Sequence, residues 1–241
     1  MLVNLLENKY CVFGLTALAI IPWKVFYSKY KYFQKKYEEQ LLFQNRHNCV
    51  VMYTVAKGMS GWPPHKDRIL PDITSKDGLY PMYEPLIYFI KTAEKSIYVA
   101  YMFIEIQEII DALVEAHERG VKVRILLNFE HNKSDVGSIQ KLISKGIMVQ
   151  LYMCPKQTLE SIMHYKYMVK DYNQEKGGYT LISSLNISIS AFTENYENIV
   201  LSSDYYLATS IHNNFKTCWN YVELENQSLL NKTILLDLNL I

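Results

Sequence analysis

From Ser96 onward the apolar and polar positions alternate between two periods, one of a strand and one of a helix. The run SIYVAYMFI is apolar and rich in β-formers. IQEIIDALVEAHERG then puts Ile106, Ile109, Ile110, Leu113 and Val114 on one helical face and stops at Gly120. VKVRILLNF reads as a buried strand, VGSIQKLISKG as a helix closed by Gly146, and IMVQLYM as another strand. Such an order implies right-handed crossovers, so an α/β fold is expected, with a mixed β-sheet flanked by helices on both faces. Further on, HYKYMVKD and YTLISSLNIS flank Gly177-Gly178, which predicts an antiparallel hairpin. In DYYLATSIHNNFKTCWNYVE, Tyr205, Ala208, Ile211, Phe215 and Trp219 recur at helical spacing and should form a core-facing stripe. The turn-rich GMSGWPPHKDRILPD, with Pro63-Pro64 inside it, is expected to be a surface loop.

The N-terminal pattern is different. Between Lys9 and Lys24 lie 14 uncharged residues, YCVFGLTALAIIPW. As a helix they span about 21 Å, against a hydrocarbon core of roughly 30 Å. With Lys24 snorkelling and VFY added, the apolar stretch reaches Tyr27 and a short single span becomes feasible. The other readings are a buried core helix or a cleaved signal peptide, although IIPWKV lacks the small residues of a cleavage site. Lys24, Lys29, Lys31, Lys35 and Lys36 outnumber Glu7 and Lys9 on the other side, which places the bulk of the chain in the cytosol. A short lysine-flanked anchor of this kind fits the mitochondrial outer membrane, with the endoplasmic reticulum as the alternative. The expected division is an anchor over 1–28, a basic juxtamembrane segment over 29–48, a catalytic domain over 49–225 and a C-terminal tail over 226–241.

Composition narrows the function. With 241 residues, 49% hydrophobic and 20% charged, the chain suits one main globular domain. Lys+Arg 25 against Asp+Glu 24 leaves a net charge of +1, so any site for a polyanion must be local. Cys11, Cys49, Cys154 and Cys218 are dispersed, which suits a reducing compartment and supplies no clustered zinc ligands.

The stretch MHYKYMVKDYNQEKGGYTLISSLNIS carries the candidate chemistry. On a strand, His164 and Lys166 share a face while Tyr165, Tyr167 and Val169 turn to the core. Ser184 and Asn186, two apart on the paired strand, can share that face. An imidazole, an ammonium, a hydroxyl and an amide then converge as a phosphate diester requires: Lys166 and Asn186 meet the non-bridging oxygens and a neutral His164 attacks phosphorus. Asp171 has the wrong parity to join them and is expected to support, pair or fix a turn. The carboxylate that orients His164 must come from elsewhere, and Glu197 in FTENYENIV is the nearest source.

HxKxxxxD from His164 to Asp171, a turn, SxN at Ser184 and Asn186, and then NYEN before an apolar strand resemble the HKD motif of the phospholipase D superfamily. One motif behind an N-terminal anchor most resembles the mitochondrial phospholipase D-like proteins, Zucchini included. SIYVAYMF, ERGVKVRIL, SKGIMVQLY and FKTCW follow the same family's run of elements. The resemblance implies a phospholipase D-like fold and a homodimer, because a two-histidine site needs a second motif from another subunit. It implies that one His164 forms a phosphohistidine while the other protonates the leaving oxygen and later activates water. Lys166 and Asn186 would hold the phosphate, Ser184 would assist and Glu197 would orient His164, with no metal or cofactor required. A second HxK, His131 and Lys133 in HNKSDVGS, has Ser138 where the motif needs Asp and is read as a chance match in a loop.

Two departures from the family pattern stand out. Ser183 occupies a position that is usually glycine, and of the zinc module found in Zucchini-like members at most Cys49 remains. The resemblance implies first a metal-independent endoribonuclease cutting single-stranded RNA in piRNA biogenesis. The alternative is a hydrolase splitting cardiolipin to phosphatidic acid, and a third reading is an inactive membrane-tethered scaffold. A narrow basic groove would favour RNA and a wide apolar one lipid. His65, Lys66, Arg68 and Lys156 are the candidate groove cations.

Overall fold

The computed structural model describes residues 9–54, 58–64, 67–68, 76–154 and 161–241. The chain divides into two units, Met1–Asn45 and Arg46–Ile241. In the first, helix α1 (Lys9–Arg46) contains Pro22 and buries none of its residues. It is long and apolar enough to cross a membrane, with a mean hydropathy of 1.5 over its most apolar window. Phe13, Leu18, Ile21 and Phe26 are exposed along it. The helix runs through the lysine-rich stretch without a break, so the expected boundary near residue 28 separates no elements.

The second unit is built on one mixed sheet. Its strands are β1 (Cys49–Thr54), β2 (Gly58–Ser60), β3 (Asp67–Arg68), β4 (Ser96–Tyr101), β5 (Lys122–Asn128), β6 (Met148–Tyr152), β7 (Lys166–Asn173), β8 (Gly177–Ser183) and β9 (Glu197–Ser202). They lie in the order β3-β2-β1-β9-β8-β7-β4-β5-β6. The pairs β4–β5 and β5–β6 are parallel and every other pair is antiparallel. The parallel part arises from crossovers through α3 (Gln107–Glu118) and, after the single turn α4 (Phe129–Asn132), α5 (Val136–Ser144).

Both faces of the sheet are covered, which explains the near-continuous apolar strands. On one face Ile97, Val99 and Ile125 pack with Ile109, Ile110 and Leu113 of α3 and with Leu86, Phe89 and Ile90 of α2 (Lys76–Lys91). On the other, Ala100, Leu126 and Tyr167 pack with Phe215, Trp219 and Val222 of α7 (Tyr205–Glu225), which follows the short α6 (Ile189–Thr193). Of the expected stripe on α7, Ala208, Phe215 and Trp219 are buried, Ile211 packs at the edge, and Tyr205 stays exposed. The β7–β8 hairpin forms as its sequence predicts. Its Gly178 is required by space, since a Cβ there would stand 2.8 Å from the Lys170 carbonyl oxygen.

The structure departs from the sequence reading in several places. Of the stretch 58–72, the described residues 58–64 and 67–68 are not simply a surface loop: β2 and β3 extend the sheet, and Trp62 is buried against Tyr88 at 5.2 Å between ring centroids. Helix α2 escapes pattern reading because Pro81 and Pro85 lie inside it, yet Met82, Leu86 and Phe89 recur on its buried face. Residues 226–241 are no tail: α8 (Leu229–Asp237) places Leu235 in the core, and Leu240 follows it there. The body likewise begins at Arg46 rather than 49, with His47 buried against Tyr179.

Candidate active site

The site lies where three strands end together. Across β5, β4 and β7 the residues Leu127, Tyr101 and Lys166 form one row, so the C-terminal ends of β4 and β5 and the start of β7 share an edge. Beyond that row the Met102 amide donates to the Tyr165 carbonyl at 2.9 Å, extending the pairing and holding His164 just outside the sheet. His164 therefore precedes β7 rather than lying within it. Tyr165, expected in the core, is exposed, whereas Tyr167 and Val169 are buried.

The Lys166 ammonium stands over the exposed His164 ring, with Nζ 3.1 Å from Nε2 and 3.4 Å from Nδ1. Burial, then the Lys166 charge and then His131, push the imidazole pKa below its ordinary value. Burial also lowers Lys166, against the pull of the Glu197 carboxylate. A neutral imidazole beside an ammonium is the state a nucleophilic histidine needs. An incoming phosphate oxygen can replace the ring as acceptor for Lys166.

Ser184 and Glu197 form a pair of their own. The Ser184 hydroxyl donates to Glu197 Oε2 in a short bond, and Asn195 Nδ2 donates to Oε1 at 3.0 Å. The Asn198 amide donates to Ser184 Oγ at 3.0 Å. Within one copy of the chain, then, the Glu197 carboxylate is engaged by Ser184 and Asn195 and not by the His164 ring. Asn186 has a buried Oδ1 with no hydrogen-bond partner among the described residues. A buried amide oxygen in that condition costs stability, and only the Nδ2 of this side chain could donate to a phosphate oxygen.

Asp171 acts at the far end of β7. It has a left-handed φ of 51° at an irregularity in the β7–β8 register. Its carboxylate accepts from the backbone amides of Glu94, Lys95 and Ser96 at 2.6–3.1 Å. The motif's aspartate thus ties the end of β7 to the start of β4, the two strands whose opposite ends carry the site. Ser183 points into that framework: its hydroxyl is 2.9 Å from the buried Tyr101 hydroxyl and 3.3 Å from the Lys166 carbonyl oxygen.

Beside His164 opens a cavity of about 570 Å³ whose lining is mostly apolar, including Leu126, Tyr152, Met163, Cys218, Tyr221 and Val222. His65, Lys66 and Lys156 lie outside the described residues, and of Arg68 only the backbone in β3 is described. Among the described residues no three His, Cys, Asp or Glu side chains converge as a metal-binding set.

The family profile of a cardiolipin synthase, PLD-like domain matches residues 86–219. The chain belongs to the phospholipase D-like family. Its PLD-like domain is 32% identical over 126 residues to a phospholipase D of Rickettsia prowazekii, covering 52% of this chain and 57% of that protein. It is 26% identical over 132 residues to a mitochondrial cardiolipin hydrolase of Chlamydomonas reinhardtii, covering 55% of each. The matched part thus spans about half the length of these curated relatives. NucT from Helicobacter pylori shares the fold at 22% identity with a TM-score of 0.50, covering 59% of this chain and 89% of that structure.

Sequence reasoning about this PLD-like site missed the groups that hold it. Asn132, buried, donates to the Met102 carbonyl at 2.7 Å and to the Asn128 carbonyl at 2.6 Å, and accepts from the Ile104 amide. Asn214 links Tyr165 and Tyr167 through their hydroxyls. No local signal marks either: Asn132 stands between His131 and Lys133, and Asn214 follows His212 and Asn213, so both read as ordinary polar surface.

Proposed function

We propose that this chain is a phosphodiesterase whose substrate is an anionic phospholipid, cardiolipin split to phosphatidic acid. The observation that carries the lipid choice is the mostly apolar cavity of about 570 Å³ beside His164, lined by Leu126, Met163 and Val222 among others. The names of the Chlamydomonas and Xenopus laevis relatives, both mitochondrial cardiolipin hydrolases, support it. The endoribonuclease reading, with its role in piRNA biogenesis, calls for a basic single-strand groove, and the described lining is not basic.

In this reading a ring nitrogen of His164 attacks phosphorus, and the alkoxide leaves with a proton from the His164 of a second copy. Lys166 and Asn186 hold the non-bridging oxygens as charge builds on them. Water, deprotonated by the second His164, then displaces the first from the phosphohistidine. The N-terminal helix anchors the homodimer at the mitochondrial outer membrane with the PLD-like domain toward the cytosol, where the membrane itself presents the substrate.

The test is turnover by the full chain in EDTA on cardiolipin mixed micelles and on single-stranded RNA, with His164→Asn beside the wild type. Release of phosphatidic acid that disappears in the variant is expected. RNA cleavage without lipid cleavage would overturn the substrate, loss of activity in EDTA the metal-free mechanism, and inertness on both the enzyme reading in favour of a scaffold.

A further inference from the structure

The second HxK of the chain is not in a random loop. Its histidine rides on α4 at the end of β5, and two asparagines fix it there. Asn128, itself buried, accepts from the His131 amide at 3.3 Å and lies 2.9 Å from His131 Nδ1 through the same Oδ1. An amide oxygen only accepts, so Nδ1 carries the proton and the lone pair, or a second proton, sits on Nε2. The ring is otherwise exposed, so Nε2 is available to a ligand.

Position follows from the register. Asn132 bonds to Met102, and Met102 bonds to Tyr165, so α4 is fastened through one intervening segment to the residue next to His164. Leu127, four residues before His131, is in the same row as Lys166, two after His164. The two imidazoles stand at one edge, just beyond the ends of two strands, β5 and β7, that are separated by β4 alone. Two strand spacings amount to about 10 Å. The charge of His131 is felt at His164, where it adds to the lowering of that ring's pKa. Lys133 is paired with Glu130 at 2.6 Å, so among the described residues the second HxK offers this edge its histidine, beside His164 and Lys166.

Standing at the same edge but beyond a different strand, His131 is placed for a group next to the scissile phosphate rather than for that phosphate itself. We propose that His131 is a specificity residue that binds a second phosphate of the substrate, one joined to the scissile phosphate through a short alcohol. This deepens the lipid reading above, since a phospholipid of that class carries two phosphates on one glycerol. No bond is made or broken: imidazolium Nε2–H donates to a phosphate oxygen while Nδ1–H stays on Asn128.

The experiment is calorimetry with the full chain in detergent, using glycerol 1,3-bisphosphate and glycerol 1-phosphate as soluble probes. Wild type is expected to bind the bisphosphate more tightly, and His131→Ala to lose about tenfold for the bisphosphate with little change for the monophosphate. His131→Lys, which keeps a cation there, should restore the preference. The proposal is overturned if wild type shows no preference, if the preference survives in His131→Ala, or if both affinities fall together. Because binding is read directly, an inactive protein would count against the phosphodiesterase reading while leaving this measurement decisive.

Discussion

Lys170 is fully buried in the middle of β7, with Nζ donating to the Phe89 carbonyl at 3.0 Å and to Thr92 Oγ1 at 2.5 Å. Burial lowers its pKa from 10.5 to about 7, against the opposing pull of Asp171 and Glu94. The folded protein therefore holds fewer protons than the unfolded chain between those two values, and stability must rise with pH across that window. Below pH 7 both states are protonated and the cost of the buried charge is constant. With one pKa unit equivalent to about 1.4 kcal/mol, the gain from pH 6 to pH 9 is about 2.5 kcal/mol. At a urea slope of roughly 2 kcal/mol per molar, the unfolding midpoint should climb by about 1 M. Lys170→Met keeps the length of the side chain and removes the titration, so its midpoint should lose that climb. Urea unfolding followed by the fluorescence of the buried Trp62 and Trp219 reads both proteins at each pH. Parallel pH profiles for wild type and Lys170→Met would refute the reasoning.

Three further outcomes are expected. Asp171→Ala strips the acceptor from three backbone amides and leaves a β-carbon residue at positive φ; a loss of about 2–3 kcal/mol is expected, seen as a Tm lower by roughly 4–10 °C, with Asp171→Asn milder. Ser183→Gly, which brings back the residue usual in the family, leaves the buried Tyr101 hydroxyl without its 2.9 Å partner and should cost about 1–2 kcal/mol in chemical denaturation. Its kcat should stay near wild type, because the hydroxyl points into the strands and not at His164. Cys218→Phe narrows the apolar cavity and should lower cardiolipin turnover about tenfold while hydrolysis of bis(p-nitrophenyl) phosphate continues; equal loss on both would place the cavity outside lipid binding.

The sequence by itself determined the α/β class, the order of elements from Ser96 to Trp219, and the hairpin around Gly177-Gly178. Those follow from side-chain periodicity and backbone freedom, which are local properties. It also singled out His164, Lys166, Ser184 and Asn186 as candidates for phosphate chemistry, because they are types with few other reasons to be grouped. Tertiary structure decided the rest. Pro81 and Pro85 lie inside α2, where the packing of Leu86 and Phe89 outweighs their helix-breaking tendency, and residues 226–241 read as a tail until Leu235 finds the core. Nothing local in the sequence marks Lys170 as buried, and α2 buries it, because which face a helix covers depends on contacts far along the chain. The same is true of His131. Only the β5–β4–β7 register, a fact of long-range pairing, brings that second HxK to the edge where His164 stands.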